Sequence, residues 1–529
     1  MIRKRLWAVL VCPVFLFGGL ALSAAPDWSL FTSKWGERPR EPLRGSRSPL
    51  ARLAGTLAPP PDRPNIVFIL TDDLGANDLA CYGRREHHTP NLDRLAAEGS
   101  RFTCAYVAQP ICSPSRAAIL TGKAPARLHL TTYLPGRADC PSQKLLHPRI
   151  EQQLPLAENT LPERLRDAGY ATACIGKWHL GGAGFLPTDQ GFELYHPGQA
   201  VTRPSATEGG KGEHDLTARA IEFMETNRHR PFFLYLAHNN PHIPYSARAE
   251  LVAKNAGAFE PVYAALIETL DGTIGLLLTK IDSLGLRDRT LLVFTSDNGG
   301  LHVPEGPHRR VTHNTPFRAG KGYLYEGGLR VPLIIHWPGK VPAGRVVDTP
   351  VINTDWLPTL LELTGAGTPP RDLDGVSIAP LLLGRGQPKA RRFRWHFPHY
   401  TNQGSQPAGA IRDGNWKLVE HYEDGRAELF NLAKDIGEST DLSRREPRRV
   451  ARLRRELAAW RARVGAQTNA PNPNFDPSLY RPLYLEFAPS AFDPLRADAD
   501  AWARVGNWRK QMNAVVRLPK GRAPESRDP

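Results

Sequence analysis

Four short apolar runs, each followed at once by polar or charged residues, constrain the fold of this chain most strongly. They occupy residues 65–70, 170–175, 231–236 and 290–295. Runs of this length without polar interruption are typical of strands buried on both faces. Helical patterns lie between them, at 89–96, 160–168, 216–224 and 261–284. This alternation predicts an α/β fold with a mixed, mostly parallel sheet flanked by helices.

Acidic and amide side chains follow the first and last of these strands. Asp72 and Asp73 follow the first, and Asp297 and Asn298 follow the last. Ligands of open α/β sheets gather beyond the carboxyl ends of the strands. Adjacent carboxylates repel each other unless a cation neutralises them, and these oxygen donors suit Ca²⁺, with Mg²⁺ as second choice, rather than zinc. The alternative for Asp72 and Asp73 is the capped start of a helix.

A cysteine precedes an apolar stretch within residues 109–122. A turn that leads into a helix there would place Cys112 at the helix N-terminus, where N–H groups and the macrodipole favour negative charge. Arg116, one turn further on, would share that face. Such a pocket suits an oxyanion beside a reactive side chain. The alternative is a buried cysteine with a solvated arginine.

The string Cys112-Ser113-Pro114-Ser115-Arg116, followed by Ala-Ala-Ile-Leu-Thr-Gly, resembles the signature of the type I, formylglycine-dependent sulfatases. The resemblance extends from about residue 65 to 442 and implies the alkaline phosphatase-like form of the predicted fold. It also implies an arylsulfatase-like sulfuric ester hydrolase. In that family a formylglycine-generating enzyme oxidises the cysteine to formylglycine (3-oxoalanine), and Cys112, Pro114 and Arg116 supply the core it reads.

The resemblance assigns a role to ten positions of this chain. Formylglycine at 112 would be the nucleophile and Asp297 would assist its deprotonation. Charge on the sulfate would be held by Arg116, Lys177 and Lys321. His242 would protonate the leaving alcohol, and His179 would take the proton that lets sulfate leave. Lys177, His242 and Lys321 would contact the substrate, and the metal ligands would be Asp72, Asp73, Cys112, Asp297 and Asn298.

Two other functions remain open beside a sulfatase that acts on a sulfated carbohydrate or an aryl sulfate. Formylglycine-dependent phosphomonoesterases and phosphonate monoester hydrolases share such a site. An inactive carbohydrate-binding relative belongs to another class, but every functional position here carries the expected residue type. An aromatic and histidine cluster is expected to line a sugar subsite, with the core of a strand as the alternative for Trp395 and His396; its other members are His399 and Tyr400.

Changes in composition divide the chain into five segments. Residues 1–25 read as a signal peptide, 26–63 as a linker rich in Pro and Arg, and 64–385 as the catalytic domain. Residues 386–465 predict a smaller α+β subdomain whose antiparallel sheet has strands near 392–397, 410–419 and 428–432. An Arg-rich helix there has an apolar stripe expected to pack on that sheet, formed by Val450, Leu453, Leu457, Trp460 and Val464. The Pro-rich tail 466–529 receives no predicted role.

The first 25 residues predict export to the periplasm or secretion. A cationic start, an apolar run at 6–22 and the small residues 23–25 form a cleavable signal, with an N-terminal membrane anchor as the alternative. No second apolar stretch of membrane length follows in the sequence. We therefore expect no stable membrane insertion after cleavage. Cys12 would leave with the signal. Four further cysteines leave three disulfide pairings open: Cys81, Cys104, Cys140 and Cys174.

The net charge of +15 comes from 68 Lys and Arg against 53 Asp and Glu. Much of this excess is Arg in the tails and in the Arg-rich helix, so a solvated surface explains it. No basic stripe interleaved with aromatic residues is present, and the sequence therefore predicts no nucleic-acid partner. A basic surface does fit a sulfated small molecule or oligosaccharide as substrate.

Overall fold

A mixed sheet of nine strands forms the centre of the fold in the computed structural model, which describes residues 63–198 and 210–516. The order is β4-β3-β5-β1-β6-β7-β2-β8, and β9 also pairs with β2. The strands are β1 (Asn65–Thr71), β2 (Ser100–Tyr106), β3 (Ala171–Gly176), β4 (Leu194–His196), β5 (Phe232–Ala237), β6 (Thr290–Ser296), β7 (Arg330–His336), β8 (Arg345–Val347) and β9 (Val351–Ile352).

The four apolar runs of the sequence form the parallel half of this sheet. Strands β3, β5, β1 and β6 lie side by side and pair in parallel. Every residue of β1, β3, β5 and β6 is buried, as continuous apolar sequence predicts. Strand β7 runs antiparallel to both β6 and β2, which makes the sheet mixed. The predicted fold class is confirmed.

Helices cover both faces of the sheet. They are α1 (Pro90–Glu98), α2 (Cys112–Thr121), α3 (Pro125–Leu128), α4 (Leu161–Asp167), α5 (Glu213–Thr226), α6 (Ala249–Lys254), α7 (Pro261–Ser283), α8 (Glu326–Leu329), α9 (Trp356–Thr364) and α10 (Ala379–Leu382). The start of α4 has a capping box in which Thr160 and Glu163 each satisfy the other's backbone N–H. Such local signals explain why the predicted helices fall close to the observed ones.

Helix α7 is long and apolar enough to cross a membrane by length and composition, a feature that the sequence analysis overlooked. Its most apolar window is 67% buried inside the protein. Residues from Tyr263 to Ile281 pack with α1, α5 and the strands in one apolar cluster. A helix that is apolar on most sides is the expected core helix of a large α/β domain.

A separate antiparallel sheet of four strands lies in the C-terminal region. Its order is β10 (Arg392–Phe397), β11 (Ala408–Asp413), β12 (Trp416–His421) and β13 (Ala427–Asn431). The run at 410–419, which the sequence placed in one strand, is a hairpin that turns at Gly414 with φ +60°. Helix α11 (Pro447–Arg463) packs its predicted apolar stripe on this sheet, through Leu453, Leu457 and Trp460 against Ile411 and Leu418.

The described part of the tail is folded rather than featureless. It contains α12 (Pro477–Tyr484) and α13 (Ala499–Val516). An apolar cluster joins it to earlier loops, with Leu483, Trp508 and Met512 packed against Cys140 and Val303. The Pro-rich composition of the tail concealed both helices. The tail thus packs against loops that precede it by more than 150 residues.

Replacement of Leu483 by alanine should destabilise the protein by about 2–5 kcal/mol, the usual loss for a buried leucine. Leu483 is 0% exposed, whereas Leu485, two residues later, is 64% exposed. The matched variant Leu485→Ala should therefore leave the midpoint of denaturant unfolding almost unchanged. Equal shifts for the two variants would show that the tail does not pack as described.

Among the described residues all five cysteines are free thiols: Cys81, Cys104, Cys112, Cys140 and Cys174. None of the three pairings left open by the sequence is formed. Cys174 is fully buried within β3, and Cys104 lies in β2, which four other strands separate from β3 in the sheet. These two thiols serve as small core residues in their own strands.

Candidate active site

The acidic residues predicted as metal ligands meet at the carboxyl ends of two neighbouring strands. Strands β1 and β6 pair in parallel up to Thr71 and Ser296, so the residues that follow each strand are brought together. Asp72, Asp73 and Asp297 are at most 2% exposed. Asp73 has φ +66°, a left-handed conformation in an irregular segment. The alternative of a capped helix start is wrong.

Cys112 completes this cluster from the start of α2. The helix begins at Cys112, as predicted, and the Sγ atom lies 3.5 Å from Oδ1 of Asp72. One potential ligand atom each from Asp72, Asp73, Cys112 and Asp297 lies within 4.8 Å of all the others. Within the described residues this is the group of acidic and sulfur donors that could hold a metal ion.

Three basic side chains pair one to one with the three carboxylates. Lys177 Nζ lies 2.6 Å from Oδ2 of Asp72, and Lys321 Nζ lies 2.8 Å from Oδ2 of Asp73. Arg116 contacts Oδ2 of Asp297 through Nε and NH2, at 2.9 and 2.8 Å. Arg116 is 0% exposed, so the alternative of a solvated arginine is wrong.

Burial and these neighbours shift the pKa values of the three carboxyls in different directions. Burial opposes ionisation of Asp72, but Lys177, His242 and Arg116 hold its pKa well below the usual value. The pKa of Asp73 is also lowered because Lys321 and His242 outweigh burial. Burial and the charge of Asp72 raise the pKa of Asp297 to about 6. Asp297 is therefore the carboxyl best suited to exchange a proton near neutral pH.

Asn298 supplies the amide oxygen that the sequence predicted. Its Nδ2 donates to Oδ1 of Asp73 at 2.7 Å and to the carbonyl of Gly299. Its Oδ1 is buried and has no hydrogen-bond partner. A buried acceptor without a donor is costly. This oxygen and the carboxylates beside it fit a hard divalent cation.

Two histidines flank the cluster, each with one ring nitrogen fixed by a backbone carbonyl. Nε2 of His179 donates to the carbonyl of Leu134 at 2.8 Å, and its Nδ1 is buried without a partner. Nδ1 of His242 donates to the carbonyl of Ile243 at 2.6 Å, and its Nε2 lies 3.6 Å from Oδ2 of Asp73. Burial lowers both pKa values to about 3, aided by Lys177 at His179 and by Lys321 at His242.

Sequence reasoning missed a buried network behind His242. Lys211 is 0% exposed and donates to the carbonyls of His242 and Ile243. Glu213 accepts from the backbone of Asn239 and Asn240 and pairs with Nδ1 of His238. The His238 side chain is therefore held in a buried pair with Glu213. The signal was a Lys and a Glu two residues apart at the start of α5, a pair that composition alone does not distinguish from surface charge.

The aromatic and histidine cluster is buried, which favours core packing over a sugar subsite. Trp395 is fully buried, and its Nε1 donates to the carbonyl of Val107. His396 lies between the Tyr422 hydroxyl and the carbonyl of Gln467. The other two, His399 and Tyr400, are at most 2% exposed.

One edge of the parallel sheet thus joins a cysteine at a helix start to three carboxylates and three basic side chains. Basic groups held in this way can stabilise negative charge that develops in a reaction. The family model Sulfatase matches residues 64–366, and the model N-sulphoglucosamine sulphohydrolase, C-terminal matches 319–463. The chain belongs to the sulfatase family, whose members are sulfuric ester hydrolases. The sequence-based assignment to this family and enzyme class is confirmed.

The match with this chain covers most of the length of its named relatives. Human arylsulfatase A is 36% identical over 459 residues. The match covers 74% of this chain and 85% of the relative. N-acetylgalactosamine-6-sulfatase from Canis lupus familiaris is 36% identical over 452 residues, 74% and 84% of the two chains. The solved structure of Ps i-CgsB in complex with k-i-k-neocarrahexaose has a TM-score of 0.66 and 29% identity, over 75% of this chain and 93% of that one.

Proposed function

We propose that the protein hydrolyses sulfate monoesters of a carbohydrate, with formylglycine made from Cys112 as nucleophile and a divalent cation beside it. The observation that carries this proposal is the meeting of Cys112 with three carboxylates and three basic side chains in one buried cluster. The printed names of the relatives support a carbohydrate substrate, since one acts on N-acetylgalactosamine and another was solved with neocarrahexaose. An aryl sulfate is the alternative substrate, as the name of human arylsulfatase A indicates.

The cation would be held by Asp72, Asp73, Asp297, Asn298 and the modified residue 112. Carboxylate and amide oxygens favour Ca²⁺, with Mg²⁺ as second choice. Such a cation, when bound, supplies Lewis-acid stabilisation of negative charge. The three carboxylates and three basic groups of the cluster balance each other in charge. A divalent cation would therefore leave the site positive, which favours an anionic ester.

The basic side chains would bind the sulfate and steady its charge during transfer. Lys177 and Lys321 reach the cluster from separate loops, after β3 and before α8, so they enclose it from two sides. Arg116 is held by Asp297 and by the carbonyl of Lys177 at 2.7 Å. Side chains fixed in this way need little reorganisation when charge develops on the sulfuryl oxygens.

Proton transfers are assigned to Asp297 and the two histidines. Residue 112, as hydrated formylglycine, would supply the nucleophilic oxygen and a second hydroxyl whose deprotonation would allow sulfate to leave. Asp297, which lies beside Cys112 in the cluster, would accept the proton of the attacking hydroxyl. The unpartnered Nδ1 of His179 would accept the later one. His242 would donate from Nε2 to the leaving alcohol, in a protonated form that the bound sulfate's charge favours.

Replacement of His242 by alanine should reduce activity far more on alkyl sulfates than on nitrophenyl sulfate. An alkoxide needs a proton to leave, whereas nitrophenolate does not, and general acid catalysis is typically worth about 10²–10⁴-fold. Measurement of kcat/KM for both substrates in the same preparation provides the internal control. Equal losses on the two substrates would contradict the acid role.

Maturation and export are part of the proposal. A formylglycine-generating enzyme would be the maturation partner. Cys112, Pro114 and Arg116 supply the core motif that such enzymes recognise in sulfatases. The predicted signal peptide, residues 1–25, lies outside the described residues, and we propose a periplasmic or secreted protein on its sequence pattern. Retention at a membrane after fractionation would favour the N-terminal anchor instead.

Phosphate and phosphonate esters are the alternative substrates. The fold resembles that of the phosphonate monoester hydrolase of Agrobacterium radiobacter, with a TM-score of 0.56 at 20% identity. At that identity only the fold is shared. Comparison of kcat/KM for nitrophenyl sulfate and nitrophenyl phosphate decides between the two, and we expect sulfate to be preferred.

A further inference from the structure

A buried lysine holds the backbone of the histidine to which the proposed function gives the role of general acid. Lys211 is 0% exposed, and its Nζ donates to the carbonyl of His242 and, at 2.8 Å, to the carbonyl of Ile243. The Ile243 carbonyl also accepts from Nδ1 of His242 at 2.6 Å. One carbonyl oxygen therefore links the lysine amine to the imidazole ring.

This shared carbonyl decides which nitrogen of the His242 ring faces the carboxylate cluster. A carbonyl can only accept a hydrogen bond, so Nδ1 carries a proton, and Nε2 lies 3.6 Å from Oδ2 of Asp73. With Nδ1 fixed in this way, Nε2 is the ring nitrogen that gains and loses a proton. The position of Nε2 then depends on where the Ile243 carbonyl lies.

The other end of the same loop has anchors that do not involve Lys211. The carboxylate of Glu213 accepts from the backbone N–H groups of Asn239 and Asn240, at 3.2 and 3.0 Å. The carbonyl of Asn240 accepts from the backbone N–H of Asp72 at 3.1 Å. Removal of the lysine amine would therefore release the histidine end of the loop, while the end beside the carboxylate cluster stays in place.

Burial separates the lysine from the histidine in what each can contact. The His242 side chain is 22% exposed, whereas Lys211 is fully buried. A substrate can therefore reach the imidazole but not the lysine amine. Burial lowers the pKa of Lys211 to about 7, although the charge of Asp72 opposes this shift. The ammonium has three N–H groups and the neutral amine has two, so either form can donate to both carbonyls.

The buried amine is better explained by the position of the loop than by stability. A buried lysine loses its hydration, and two carbonyl contacts recover only part of that free energy. An apolar side chain of similar length would fill the same space without this cost. It could not, however, hold two carbonyl oxygens at fixed positions.

We propose that Lys211 is a positioning residue for the general acid, because it holds the backbone that directs Nε2 of His242 towards the leaving alcohol. This inference rests on the proposed function and adds a residue to which the family resemblance gave no role. Lys211 would act only through His242, since it is buried behind the histidine. Its loss should therefore affect leaving groups that need a proton and spare those that leave without one.

The test measures kcat/KM on an alkyl sulfate and on nitrophenyl sulfate in one preparation and takes the ratio of the two values. Both values scale with the fraction of folded protein, so their ratio does not depend on that fraction. Lys211→Met removes the amine and keeps a flexible side chain of similar length. It should lower the ratio by about 10–100-fold, since misplacement of a catalytic group by about 1 Å can cost about 10²-fold.

A second buried lysine provides a matched control. Lys417, in β12, is also 0% exposed and pairs with Glu326 and Glu438. Lys417→Met should lower the melting temperature and leave the ratio unchanged. Lys211→Gln keeps an N–H donor on a shorter side chain and serves as second variant if Lys211→Met does not accumulate as folded protein. Its ratio should fall in the same direction but less far.

A double variant shows whether Lys211 acts through the histidine. In a His242→Ala background the acid is absent, so Lys211→Met should cause no further fall in the ratio. An unchanged ratio in the Lys211 variants, or a further fall in the double variant, would overturn the inference while the sulfatase activity stands. An unchanged ratio in His242→Ala alone would overturn the acid role and the inference with it. Failure of the wild-type protein to hydrolyse either ester would instead overturn the proposed function.

Discussion

Replacement of Cys112 by alanine should lower kcat by about 10⁴–10⁶-fold, the usual loss when a covalent nucleophile is removed. Cys112 occupies the start of α2, 3.5 Å from Asp72, and no other nucleophilic side chain belongs to the described cluster of candidate ligands. Arg116 and the two lysines would remain to bind sulfate. The variant should therefore still bind substrate, and isothermal titration with the ester would show an affinity close to that of wild type.

Replacement of Cys112 by serine separates the formylglycine mechanism from a simple hydroxyl or thiol mechanism. Serine has one oxygen, which can accept the sulfuryl group but has no second hydroxyl with which to expel it. The variant should be sulfated slowly and then remain trapped, as intact-mass measurement would reveal. Repeated turnover by Cys112→Ser at the wild-type rate would contradict the requirement for two oxygens on one carbon.

Removal of divalent cations should lower activity by about 10³-fold or more, since Lewis-acid stabilisation is worth several kcal/mol. Asp72, Asp73 and Asp297 crowd into one buried site with the unpartnered Oδ1 of Asn298. Chelation followed by addition of Ca²⁺ or Mg²⁺ should abolish and restore turnover. The melting temperature should rise with added cation, because a ligand that binds only the folded state stabilises it.

Two controls make the cation experiment decisive. Elemental analysis of the chelated protein establishes that the metal has been removed. Asn298→Ala removes the neutral amide oxygen without changing the charge of the cluster, and it should raise the cation concentration required for half-maximal activity. Full activity of a preparation free of metal would refute the role of these oxygen donors.

Much of the fold of the catalytic domain could be predicted from local sequence patterns. The strands that begin at Asn65, Ala171, Phe232 and Thr290 are continuous apolar runs that end in polar residues, and their parallel pairing brings Asp72 and Asp297 together. The apolar runs were sufficient to predict that Asp72 and Asp297 are neighbours, because the parallel strands are buried on both faces. The roles of Lys177, His179, His242 and Lys321 depended on the family resemblance, since a lysine or histidine in a loop carries no distinctive local signal.

Other features arise from contacts between distant parts of the chain, which periodicity does not encode. Strand β2, which precedes α2 in the chain, was not predicted because its polar and apolar residues alternate too weakly. Its Phe102 and Ala105 nevertheless lie in the core. The network of Lys211 and Glu213 depends on carbonyls and amides of a loop about 30 residues away. Arg137 contacts Sδ of Met512, which lies 375 residues later in the chain. Only the folded structure brings such groups together.

The most direct test of the account is mass spectrometry of the tryptic peptide 102–116 from protein produced with a formylglycine-generating enzyme. Samples with different degrees of modification at residue 112 should be assayed in parallel with nitrophenyl sulfate. We expect an aldehyde at residue 112 and a kcat proportional to the fraction of chains that carry it. A fully active preparation in which residue 112 remains an unmodified thiol would contradict it.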